Sequence, residues 1–182
     1  MPEERFRVDV EHSYDVITGA VEEVTDVFLQ IDPNKAVGGN VVPYDDARGL
    51  QVLTLTEWDE ITLTTSVHDT APPLDTTPWS WIREVSLLAE PGGTGPPPDE
   101  DDPEPDQHDP HTALAEVWSF GEKGADLHAE PKLPCPDTTP RWFRARIHGR
   151  TDQPPPEPYE DHLIQLWPQP PTPPEDLHPQ RG

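Results

Sequence analysis

RWFRARIHGR, residues 141–150, alternates in character at nearly every step. Phe143, Ala145 and Ile147 fall on one side, and Trp142, Arg144, Arg146, His148 and Arg150 on the other. A period of two is that of a β-strand with one face turned to a core. The stretch also holds four of the chain's twelve lysines and arginines, in a protein with 36 Asp and Glu and a formal charge of -24 at pH 7. A strand this basic in a chain this acidic needs a reason.

The same period recurs outward from it. RFRVDVEH (5–12) sets Phe6, Val8 and Val10 against Arg5, Arg7, Asp9 and Glu11. GLQVLTLTEWDEITLTTSVHD (49–69) reads as two strands, Leu50 to Thr56 and Ile61 to Val67, joined through EWDE as a hairpin. WSWIREVSLLAE (79–90) and ALAEVWSFG (113–121) are strand-like by their β-branched and aromatic content, though Leu87-Leu88-Ala89 would also suit a helix. YEDHLIQLWP (159–168) is an almost continuous apolar run, as expected of a strand covered on both faces, and Pro168 stops it. Tyr14 to Thr18 reads as a strand. From 20 to 30 the helical spacing of Ala20, Val21, Val24, Val27 and Phe28 competes with a Val-rich composition that favours strand. About seven short strands with polar connections predict an all-β, mainly antiparallel domain, a β-sandwich or jelly-roll-like fold over residues 1–168.

Proline marks where packing stops. The 27 prolines concentrate in PGGTGPPPDEDDPEPDQHDPHT (91–112), in TDQPPPEPYE (151–160) and after Trp167. The first is too charged and too poor in apolar side chains to offset its ordering entropy, which predicts a disordered acidic insertion. The second reads as a stiff connection, and 169–182 as an extended Pro-rich tail.

Composition excludes several function classes. Excess carboxylate repels nucleic acid and anionic lipid, so neither direct nucleic-acid binding nor a membrane role is expected. With no signal-like N-terminus and no long apolar run, a cytoplasmic protein is the expectation. The single cysteine, Cys135, rules out an internal disulfide, and its Pro-flanked setting reads as a loop. Nucleophile elbows, phosphate-binding glycine loops and His-Glu-x-x-His are absent. Adjacent pairs such as Asp45-Asp46 and Glu22-Glu23 point to opposite faces of a strand, which makes them solvated charge rather than acid and base. His108 and His111, with Asp106 or Asp109, have a spacing that zinc could use, but a polyanion that collects cations weakly is the simpler reading. No catalytic residue, metal or cofactor is expected.

Two readings compete for Arg144, Arg146, His148 and Arg150. Adjacent guanidiniums suit a phosphate or carboxylate ligand. They also suit carboxylates on neighbouring strands, such as Asp161 or Glu116, and the abundance of carboxylates favours this second reading.

RWFRARIHGR followed by EDHLIQLWPQP resembles the C-terminal portion of a group of uncharacterised, mainly actinobacterial small proteins. In these an arginine-alternating strand precedes Leu-Ile-x-Leu-Trp-Pro. The matching positions are Arg144, Arg146, His148, Gly149, Arg150, Leu163, Ile164, Leu166, Trp167 and Pro168. The resemblance implies a compact β-sandwich, like nuclease inhibitors or immunity proteins in architecture alone, and fold analogy carries no function.

The functional expectation is a non-enzymatic acidic protein that docks on a basic protein, such as a toxin-neutralising immunity protein or nuclease inhibitor. Its expected contacts are Trp79 and Trp81, taken as sharing one face of an edge-like strand, with Asp99, Glu100, Asp101 and Asp102 of the insertion. The alternatives are an anionic-ligand binder or enzyme using the arginine strip, and a structural subunit of a larger assembly.

Overall fold

A computed structural model of the chain describes residues 3–19, 33–55, 59–91, 109–121, 124–151 and 159–177. The stretch 20–30, the greater part of the acidic insertion, the middle of TDQPPPEPYE and the last five residues lie outside these, and so do the expectations attached to them.

The alternating segments are strands, as their period dictates. In chain order they are β1 (Glu4–Val10), β2 (Ser13–Ile17), β3 (Val41–Pro43), β4 (Gly49–Leu53), β5 (Asp59–Val67), β6 (Trp81–Ala89), β7 (Thr112–Leu114), β8 (Glu116–Gly121), β9 (Gly124–Ala129), β10 (Lys132–Pro134), β11 (Arg141–Arg150), β12 (Glu160–Pro168) and β13 (Glu175–Asp176). A 3-10 turn at Pro33–Lys35 is the one helical element among the described residues. None of those residues forms a helix long and apolar enough to cross a membrane.

The strands make a six-stranded sheet, β1-β5-β12-β11-β6-β13, a five-stranded sheet, β3-β4-β2-β8-β9, and a two-stranded pair, β10-β7. All pairings are antiparallel except β12 with β5. One core lies between the two large sheets. Val8, Ile61, Leu63, Val85, Leu87, Phe143, Ala145, Ile147, Ile164 and Leu166 from the first meet Tyr14, Val16, Val41, Leu50, Val52 and Val117 from the second. The fold is all-β and antiparallel-dominated, as alternation predicts. β12 lies inside its sheet with β5 and β11 on either side and is buried on both faces, which accounts for its near-continuous apolar sequence.

The expected hairpin between β4 and β5 does not form, because β4 pairs with β2 and β3 and β5 with β1 and β12. Thr54 N–H donates to the His12 carbonyl (2.8 Å), on the five-stranded side. Leu55 N–H donates to the Glu160 carboxylate (2.9 Å), on the six-stranded side. The chain therefore crosses between sheets at this point. Both strands turn an apolar face to the same core, so alternation alone does not distinguish pairing from crossing.

The segment after Pro168, read from the sequence as an extended tail, returns across the domain. Through residue 177 it lies over the outer face of the six-stranded sheet, and β13 pairs with β6. A second strap without regular structure, residues 69–80, lies over the same face.

Candidate functional site

The arginine strip lies under these two straps. Arg144 is completely buried. Its Nε donates to Glu84 (3.0 Å) and its Nη2 to Glu175 (3.1 Å), and Nη1 donates to Ser86 Oγ and to the Thr172 and Pro173 carbonyls. Register explains the choice of partners: on β11 and β6, Arg144 stands opposite Ser86 and Arg146 opposite Glu84. Arg146 Nε reaches the other Glu84 oxygen (2.6 Å), its Nη1 donates to the Pro72 carbonyl (3.0 Å), and its guanidinium lies 4.9 Å from the Trp167 ring centroid. Arg150 holds Asp161 Oδ2 through Nε and Nη2 (3.1 and 2.6 Å) and lies over Trp79. Of the two partner carboxylates anticipated, Asp161 fills the role. Glu116 instead accepts from Trp118 Nε1 (2.9 Å). The true hub, Glu84, was readable only with knowledge of which strand lies beside β11.

The strip is therefore a clamp, in which backbone carbonyls of Pro72, Thr172 and Pro173 occupy donors that a ligand anion would need. His148 belongs to it: it is buried, its Nε2 bonds Gln165 Oε1 (3.1 Å), and Nδ1 has no hydrogen-bond partner. Burial, aided by the Arg146 charge, pushes its pKa down to about 4. The imidazole is neutral at pH 7, with the proton on Nε2 facing the Gln165 oxygen.

Trp79 and Trp81 lie on opposite faces of the sheet, not on one. Trp79 packs on His148 (5.0 Å between ring centroids) outside, whereas Trp81 is in the core, edge-on to His162 (5.2 Å). Gly149 makes room for Trp81, since a Cβ there would come within 2.1 Å of the indole. Trp81 is 8% exposed and has no surface to offer a partner. Asp99, Glu100, Asp101 and Asp102 lie outside the described residues.

Inside the core is a constellation the sequence reading missed. Glu160 Oε1 accepts from His162 Nε2 (2.8 Å), and Tyr14 Oη donates to His162 Nδ1 (3.0 Å). Glu160 and His162 are two apart on a strand and so share a face, which was the legible signal. Burial first, and the Glu160 charge second, hold the Tyr14 phenol well above its ordinary pKa. The order acid, imidazole, hydroxyl is that of a catalytic triad. All three residues are at most 1% exposed, though, and a general base must reach its substrate's proton. Here the chain satisfies buried polar groups.

A further buried pair lies on the outer face of the five-stranded sheet, where Tyr44 Oη donates to Asp15 (2.7 Å) and burial raises the Asp15 pKa to about 6. Asp15 and His148 have opposite pH effects. Folded Asp15 takes up a proton that the unfolded chain does not hold between pH about 4 and 6, so its contribution to stability falls as pH rises through that window. Folded His148 refuses a proton that the unfolded chain binds between about 4 and 6.5, so its contribution rises. Each is worth up to about 3 kcal/mol at the far end of its window. Relative to the parent, Asp15→Asn should make stability climb more steeply from pH 4 to 6.5, and His148→Gln should flatten or reverse the climb. Urea unfolding across that range measures both.

Open concave surface lies at the start of β11. A groove of about 510 Å³ is lined by Pro136, Asp137, Arg141, Trp142, Pro168 and Pro170, among others. A second hollow of about 480 Å³, with Asp69 and His111, shares Pro136, Arg141 and Pro168 with it. Cys135 touches the groove but is 1% exposed, and burial raises its thiol pKa, so it is no nucleophile. No group of three His, Cys, Asp or Glu among the described residues is placed to hold a metal ion.

No family model matches the chain, and no curated protein matches it in sequence. The fold is similar to a solved structure described as crocagin biosynthetic gene J. That likeness covers 93% of this chain and 100% of that one, with a TM-score of 0.50 and 11% identity. At that identity the two share a fold and nothing finer.

Proposed function

We propose that the protein is a non-enzymatic acidic binding protein that docks on a basic protein surface, in the manner of a toxin-neutralising immunity protein or nuclease inhibitor. A cytoplasmic setting goes with this reading. The observation that carries it is where the charges lie. Arg83, Arg144 and Arg146 are buried against carboxylates, while among the described carboxylates only Asp15, Glu84, Glu160 and Asp161 are buried. Among the described residues, taking three of ten cations inside, against four of 22 anions, leaves an exterior more one-signed than their composition. Such a surface speeds encounter with a cationic partner and repels nucleic acid. The name of the crocagin structure speaks of biosynthesis and supplies no partner.

Apolar anchors are needed beside the charge, and with Trp81 in the core they fall elsewhere. Leu55 is 71% exposed and Tyr159 50% exposed, and the Leu55 N–H bond to Glu160 brings the two segments together. Binding kinetics with a cationic nuclease or toxin encoded beside the gene test the reading. Added salt should slow association with little effect on dissociation. Leu55→Asp should speed dissociation about tenfold. Absence of association at low salt overturns the proposal.

A further inference from the structure

Three of the four arginines of β11 are taken up by internal carboxylates, and the fourth is not. Arg141 has the parity of Phe143, Ala145 and Ile147, so it belongs to the core-facing row, yet as the first residue of the strand it projects beyond the core into the groove. Its Nη1 donates to the Pro134 carbonyl (2.9 Å) and its guanidinium lies 5.7 Å from the Phe143 ring centroid. Among the described residues no carboxylate pairs with it. In a chain with three times as many acids as bases, a guanidinium held by one terminal nitrogen and facing no carboxylate among the described residues needs explanation.

Prolines make up much of the wall around it, Pro136, Pro140, Pro168 and Pro170 among them, with Trp142 beside them. Proline walls lose little entropy when a ligand seats, and the cavity volume is in the range of small-molecule sites. Charge then narrows the ligand. Asp137 lines the groove and Asp69 the adjoining hollow, both exposed. A purely anionic ligand would be drawn by Arg141 and repelled by these two carboxylates and by the field of the whole protein. A purely cationic one would meet Arg141. A ligand with one group of each sign meets neither penalty.

From this we infer that the groove at Arg141 binds a small zwitterion with an apolar body, of the α-amino acid class. Its carboxylate sits on Arg141, its ammonium faces Asp137, and its side chain lies against Trp142 and the prolines. A planar carboxylate is what a guanidinium fork receives best. The inference is independent of the docking reading, which uses neither Arg141 nor Asp137.

Isothermal titration of the full chain with phenylalanine, N-acetylphenylalanine and phenylalanine amide tests it. Phenylalanine should bind, and removing either charge should weaken it about tenfold, the worth of one charge-assisted contact. Arg141→Gln should erase the advantage of phenylalanine over its amide. Asp137→Asn, at an exposed position, should erase its advantage over the N-acetyl compound while leaving the preference over the amide intact. Should Arg141→Gln fail to fold, the Asp137→Asn pattern alone decides. No heat from any probe at millimolar concentration, equal affinity for the three, or affinities unmoved by both substitutions overturns the inference.

Discussion

Glu84→Ala should destabilise the protein by about 3–5 kcal/mol, the expected cost of removing one side of a buried ion pair. Glu84 is 8% exposed and both its oxygens are taken, one by Arg144 and the other by Arg146. Without it two guanidiniums stay under the straps facing each other. Arg144 retains Glu175, Ser86 and two carbonyls, and Arg146 retains Pro72 and Trp167, which limits the loss to a few kcal/mol. In a protein of this length the melting midpoint should fall on the order of 10 °C. Hydrogen exchange should quicken first at Thr172 and Leu177, whose N–H groups bond Ser86 Oγ and the Ile82 carbonyl. A double substitution, Glu84→Leu with Arg146→Met, should recover much of the loss, since an apolar pair of similar size removes the stranded charge. An unchanged midpoint in Glu84→Ala would contradict the clamp.

A smaller loss is expected from Glu160→Ala, in the core. It strips the acceptor from two donors at once: the buried His162 Nε2–H, which costs about 1–3 kcal/mol when left unpaired, and the part-buried Leu55 N–H, which costs less because Leu55 is exposed and water can reach it. Tyr14→Phe at the other end of the chain removes one donor and leaves one imidazole nitrogen bare, for about 1–2 kcal/mol. The ranking of the two, measured by chemical denaturation, distinguishes a satisfied polar chain from incidental proximity. Equal effects would contradict it.

What could be read from the sequence was whatever depends on a residue's own neighbours along the chain. The period of RWFRARIHGR assigned Phe143, Ala145 and Ile147 to the core and Arg144 and Arg146 to the opposite face, and both assignments hold. The apolar run of β12 announced a strand covered on both sides. What could not be read was which strands become neighbours. Glu84 on β6 was one carboxylate among 36 until register set it opposite Arg146. The β4–β5 hairpin failed for the same reason, since two strands with one apolar face each suit two sheets as well as one. Prolines marked the C-terminal segment as outside the core but not where it docks, because its docking rests on backbone carbonyls, which every residue has, and on Glu175 and Asp176, two carboxylates among 36. Arg141 has the parity of the apolar row, so alternation along β11 assigns it to the core, and only its place at the strand's first residue sets it in the groove.

β12 is hydrogen-bonded to β5 on one side and β11 on the other, and it follows both in the chain. During synthesis β1 can find β5 and β6 can find β11, but the two halves of the six-stranded sheet have no common border until residues 160–168 have left the ribosome. Until then β5 and β11 each present a bare strand edge of nine or ten residues, the kind of edge through which chains pair with one another. The nascent protein must pass through this vulnerable interval. The acidic residues that crowd its sequence are present throughout, holding copies on neighbouring ribosomes apart before any fold exists to protect them.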